Sequence, residues 1–83
     1  MNTTTMHRPI YTIASEILQD WKKPYFGAVP YLAAMQALNR IDDNYGYDDA
    51  RTVILYFMAN ATTWRGEKAR EIKAELKALT ARR

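Results

Sequence analysis

Cysteine is absent from this 83-residue chain. That excludes disulfides, thiol nucleophiles and zinc–thiolate sites together, and it fits a reducing compartment. Histidine occurs once, as His7, in a polar start that also holds Thr3, Thr4 and Thr5. A catalytic histidine needs a held nucleophile and an orienting partner, and a loose tail over residues 1–8 supplies neither. Gly46 and Gly66 stand alone, with neither a GxGxxG nor a Walker pattern around them. Long apolar runs are lacking too. The longest, Val53 to Ala59, is far short of the ~20 residues that cross a bilayer. The first fifteen residues do not read as a secretory leader. The expectation is a cytoplasmic protein with no membrane contact, no cofactor and no metal.

What is present is a globular composition, 48% hydrophobic and 25% charged. The length predicts one domain, residues 9–83. A domain of this size buries only roughly 60% of its unfolded surface, so either its helices pack well or a second copy completes the core. The net charge of +3 is mildly basic and admits acidic or nucleic-acid partners without requiring them.

Hydrophobic spacing predicts an all-α fold, a compact bundle of four helices. Ile10, Ile13, Ala14, Ile17, Leu18 and Trp21 form one helical face, and Pro24 ends that helix because it disfavours helical geometry at Lys23. A second helix follows Gly27, with Pro30 in its first turn and a stripe of Tyr31, Ala34, Met35, Leu38 and Ile41, Leu32 beside it. Residues 42–49 read as a turn by composition, from which Asp48 or Asp49 can cap a third helix. That helix, roughly Asp49 to Thr62, carries VILYFMA without a polar break and is expected to be central and buried on most sides. The fourth, about Glu67 to Ala81, has three stripes. Ala69, Ile72, Leu76 and Leu79 are apolar, Glu67, Glu71 and Glu75 acidic, and Arg70, Lys73 and Lys77 basic.

The stretch from Tyr45 to Leu79, YGYDDARTVILYFMANATTWRGEKAREIKAELKAL, resembles small hypothetical proteins encoded by actinobacterial bacteriophages and prophages, and the similarity reaches back to about Tyr31. The resemblance implies a small, non-enzymatic phage accessory protein acting on host machinery. It assigns a role to no residue.

Chemical motifs are few. Counted as a calcium loop from Asp42, position 5 is Gly46, position 6 is Tyr47 and position 12 is Val53, so the ligand pattern fails. A DNA-reading helix after the central turn would need a polar outer face, and VILYFMA is apolar. The basic flank Arg70, Lys73 and Lys77 is a better place for phosphate contact, but the adjoining glutamates oppose it. Aromatic residues are more telling. Tyr25, Tyr45, Tyr47 and Trp64 lie in or beside turns, where aromatics either close the ends of a small core or anchor an interface. Charge is segregated as well. Residues 42–49 hold four aspartates and no base, whereas residues 65–83 hold seven bases and three acids. The two patches can meet within a molecule, between subunits or through a partner.

The leading expectation is therefore a protein-interaction module that binds a host or phage protein and forms a homodimer. Its candidate contact residues are Tyr45, Tyr47, Trp64, Arg70, Lys73 and Lys77. The alternative is a nucleic-acid-binding accessory protein that uses the basic flank of the last helix.

Overall fold

A computed structural model describes residues 8–81, so His7 and the tail before it lie outside the described residues. The chain is mostly helical. Helix α1 is Ile10–Asp20, α2 is Val29–Met35, α3 is Ala50–Ala59 and α4 is Glu67–Ala81. Between α2 and α3 lies an element that an all-α reading omits: a small antiparallel hairpin of β1 (Asn44–Tyr45) and β2 (Asp48–Asp49). Asn44 pairs with Asp49 and Tyr45 with Asp48, leaving Gly46 and Tyr47 as a two-residue loop. Gly46 takes a φ of +63° at the first loop position, and no described non-glycine residue has positive φ. That combination is a type II′ turn, whose twist suits adjoining strands. Two residues per strand give no periodicity to read, so a turn is all that composition reveals.

Helices α1 and α2 are shorter than their apolar patterns. α1 stops at Asp20, four residues before Pro24, because Trp21 leaves helical geometry and buries its indole. A single turn of 3-10 helix, Phe26–Ala28, leads into α2, which carries Pro30 in its first turn. α2 ends at Met35 and not near Ile41. Tighter bonds follow, from Ala37 N–H to the Ala34 carbonyl (3.0 Å) and from Leu38 N–H to the Met35 carbonyl (3.1 Å), and these still deliver Leu38 to the core. The next carbonyls cap another helix: Ile10 N–H donates to Asn39 O and Tyr11 N–H to Leu38 O, both at 2.9 Å. The start of α1 is thus satisfied by the end of α2.

The route from α2 to α3 is organised by Asp43. Its carboxylate accepts the backbone N–H groups of Arg40 (2.9 Å) and Asn39 (3.0 Å), and its carbonyl accepts Ala50 N–H (2.8 Å). The hydrogen bonds from Arg40 and Asn39 hold this carboxyl below its usual pKa. Asp49 caps α3 by accepting Thr52 N–H at 2.8 Å, which lowers its pKa likewise.

α3 packs between α2 and α4, and α1 bridges those two. The molecule measures 37 × 31 × 19 Å, so its thin dimension holds two layers of helices. Ile10, Ile13, Ala14 and Ile17 of α1 meet Leu32 and Met35 of α2, Val53, Ile54 and Phe57 of α3, and Ala69, Ile72, Leu76 and Leu79 of α4 in one core. Two expectations change. Leu18 is not part of the buried face of α1, and α3 is not buried on most sides, for Leu55 and Tyr56 are each about half exposed. At 100° per residue Leu55 points away from the side shared by Val53, Ile54 and Phe57, while Tyr56 flanks that side and leans on Tyr31.

Candidate functional site

The six interaction residues expected from sequence separate into two places. Tyr45 and Tyr47 lie on the hairpin, where Tyr47 is fully exposed at the tip next to the exposed Asp48; Asp42, just before the hairpin, is exposed as well. Trp64, Arg70 and Lys73 come together at the start of α4. Lys77 follows one helical turn after Lys73 on the exposed surface.

Trp64 is not a surface anchor. It is 2% exposed and stacks on Trp21, with ring centroids 5.8 Å apart and planes inclined by 14°. Phe57 meets both indoles edge-on, at 6.3 Å from each. The Trp64 indole N–H donates to the Asp20 carboxylate at 2.9 Å, which satisfies the one polar atom that burial would strand. Trp64 therefore closes one end of the core. Proximity to the Arg65-Gly66 turn suggests an interface, and only the fold reveals the second indole that captures it.

Lys73 is likewise committed. Its ammonium donates to the carbonyls of Trp64 (2.7 Å) and Ala61 (2.8 Å) and lies 5.7 Å from the Trp64 ring centre. It fastens the α3–α4 connection, which turns through Trp64 N–H to Ala61 O at 3.1 Å. Burial lowers the pKa of Lys73, and the neighbouring Arg65 cation lowers it further. Arg65, Arg70 and Lys73, with Trp64, Gly66 and Ala69, line a shallow open depression that has three cations and no carboxylate in its wall.

The third acidic residue of α4 is spent inside the molecule. Arg8 forks onto Glu75 through Nε (3.1 Å) and Nη2 (2.6 Å), and its Nη1 reaches Glu16 on α1. These contacts raise the Arg8 pKa, the Glu75 hydrogen bond foremost, and the Arg8 hydrogen bond lowers that of Glu16. Arg8 belongs to the folded unit, one residue before the expected domain start. On α4, Glu75 thus turns toward Arg8 and Glu16, whereas Arg70 and Lys73 turn toward the depression.

The surface that sequence did not single out is apolar. Phe26 is 78% exposed, and Tyr25 packs against it with ring centroids 4.8 Å apart. Val29, Leu55 and Tyr56 are also exposed, Tyr56 leaning on Tyr31 at 5.5 Å. The signal available was geometric: in VILYFMA, only one side of a ten-residue helix can face a core.

No helix among the described residues is long and apolar enough to cross a membrane. Among them no group of three or more histidine, cysteine, aspartate or glutamate residues is placed to hold a metal ion. Comparison with protein-family models, with curated proteins and with solved structures gave no match.

Proposed function

We propose that this protein is a non-enzymatic interaction module that binds another protein. One observation carries the reading. Large apolar side chains stay outside a core that is already complete: Tyr25, Phe26 and Val29 on the approach to α2, Leu55 and Tyr56 on α3. Exposed aromatic and aliphatic groups in adjacent positions are what interfaces desolvate, and aromatics give the most area for the least side-chain entropy. The resemblance to actinobacterial phage proteins supports a cytoplasmic accessory role on host machinery, with a host or phage protein as partner.

The test is affinity capture from an actinobacterial host lysate, followed by direct binding of the purified candidate. The wild-type chain is compared with a Phe26→Glu/Val29→Glu variant. A partner bound by the wild type and lost by the folded variant supports the reading. Equal binding by both defeats the assignment of that surface.

The carboxylate-free depression favours a second reading, a nucleic-acid accessory protein that contacts phosphate through Arg65 and Arg70 of the depression and through the exposed Lys77 further along α4. Retention on DNA that falls steeply with salt, and falls further in Arg65→Ala/Arg70→Ala, is the result that would place this reading first.

A further inference from the structure

Among the described residues the acidic and basic patches make no ion pair with each other. Arg40 pairs with Asp42 beside it, and Arg8 with Glu16 and Glu75. The hairpin precedes α3 and the Trp64–Lys73 depression follows it, so the patches lie toward opposite ends of a ten-residue helix. Such a helix is roughly 15 Å long. α3, which joins them in the chain, exposes Leu55 and Tyr56.

We infer that this face pairs with a second copy of the chain. The two α3 helices run antiparallel about a two-fold axis, and each hairpin enters the partner's depression. The inference rests on the interaction reading above and names one partner for it. Charge complementarity commits the occupant. Since Asp43 and Asp49 hold the backbone, Asp48 is the hairpin carboxylate free of capping duty, and the exposed Asp42 stands just before the hairpin beside Arg40. The depression offers Arg65 and Arg70, both exposed, beside a Lys73 ammonium with one donor left after its two carbonyl bonds. The fully exposed Tyr47 at the hairpin tip, next to Asp48 in the chain, supplies a ring for the arginine planes. An antiparallel pair repeats the contact at both ends and places Leu55 and Tyr56 of both copies at its dry centre. One self-complementary patch is all that a two-fold dimer requires.

Charge reversal tests this. One variant is Asp42→Lys/Asp48→Lys, and the other is Arg65→Glu/Arg70→Glu. All four positions are exposed, and circular dichroism checks that both variants fold. Sedimentation equilibrium of the wild type should give a dimer at micromolar concentration, weakening as salt rises. Each variant alone should dissociate at least tenfold more readily, because its hairpin and depression then share a sign. An equimolar mixture should recover wild-type affinity, since both contacts in the mixed dimer are again opposite in sign. A wild type that is monomeric at every concentration overturns the inference and leaves the Phe26 surface and its foreign partner standing. A dimer indifferent to both variants, or one that mixing does not rescue, also overturns it.

Discussion

Trp64 lies almost parallel to Trp21, 5.8 Å away, with its indole N–H held by the Asp20 carboxylate at 2.9 Å. The pair joins the C-terminal end of α1 to the α3–α4 connection, two places 43 residues apart in sequence. Trp64→Ala should cost about 3–5 kcal/mol, because a large buried ring leaves a cavity that its neighbours cannot collapse into. Asp20→Asn keeps an acceptor but removes its charge, and about 1 kcal/mol is expected. Urea unfolding would measure both. The near-ultraviolet dichroism of stacked indoles should vanish in Trp64→Phe while the far-ultraviolet signal persists.

Lys73 is the second device at this end. Its two bonds to the Trp64 and Ala61 carbonyls make it a structural cation, although its spacing in sequence is that of a surface stripe. Lys73→Met preserves the stem and deletes the donors, so about 1.5–3 kcal/mol of stability should be lost. Lys77→Met, on the exposed part of the same stripe, should change little. Equal melting temperatures for the two variants would refute the structural role.

Much of the scaffold is written in the sequence. The α4 stripe of Ala69, Ile72, Leu76 and Leu79 is the buried stripe, because a fifteen-residue helix gives its period four turns in which to declare itself. The N-cap at Asp49 is legible for the same local reason: a carboxylate placed just before an apolar helical run. What escapes is settled at a distance. α1 ends early because Trp21 is captured by an indole from another segment, and Arg8 is fixed by a glutamate 67 residues away. The hairpin escapes because its strands are too short to alternate. Trp64 and Lys73 share one error of reading: each has the local environment of a surface residue, and a long-range contact reverses its role.

Phe57 and Leu55 provide an internal contrast on one helix. Phe57 is fully buried against both tryptophans, and Phe57→Ala should cost about 3–5 kcal/mol. Leu55 is 49% exposed in the monomer, and Leu55→Ala should cost under about 1 kcal/mol. Chemical denaturation below the concentration of any self-association separates the two. Similar losses would mean that α3 is buried on its Leu55 side as well.

Acid should destabilise the fold in a defined direction. Glu16, Asp43 and Asp49 all have folded pKa values below their ordinary ones, held there by Arg8, by the Arg40 and Asn39 amides, and by Thr52 respectively. A depressed carboxyl contributes stability that is fully present above its unfolded pKa, about 4, and is lost as pH falls through the folded value. Melting temperature should therefore be flat above about pH 5 and drop progressively below about pH 4. Asp43→Asn, which weakens the cap on Asn39 and Arg40, should lower the plateau and shallow the acid limb. An unchanged acid limb in that variant would remove Asp43 from the account.

Gly27 tests the close approach between the 3-10 turn and the end of α3. A methyl group built there would lie 2.6 Å from Cε2 of Tyr25 and 2.7 Å from Oδ1 of Asn60. Both distances are shorter than contact allows, so something must move. Tyr25 is half exposed and can swing outward at small cost. Asn60 is less free, because its side-chain amide donates to the Tyr56 carbonyl at 2.9 Å and closes the last turn of α3. Gly27→Ala should therefore cost about 1–3 kcal/mol, the usual range for overpacking. Asn60→Ala should relieve most of that strain in the double variant, although it loses the Tyr56 bond on its own account. A double-mutant cycle reads the coupling directly, and a coupling near zero would show that Tyr25 alone absorbs the methyl group.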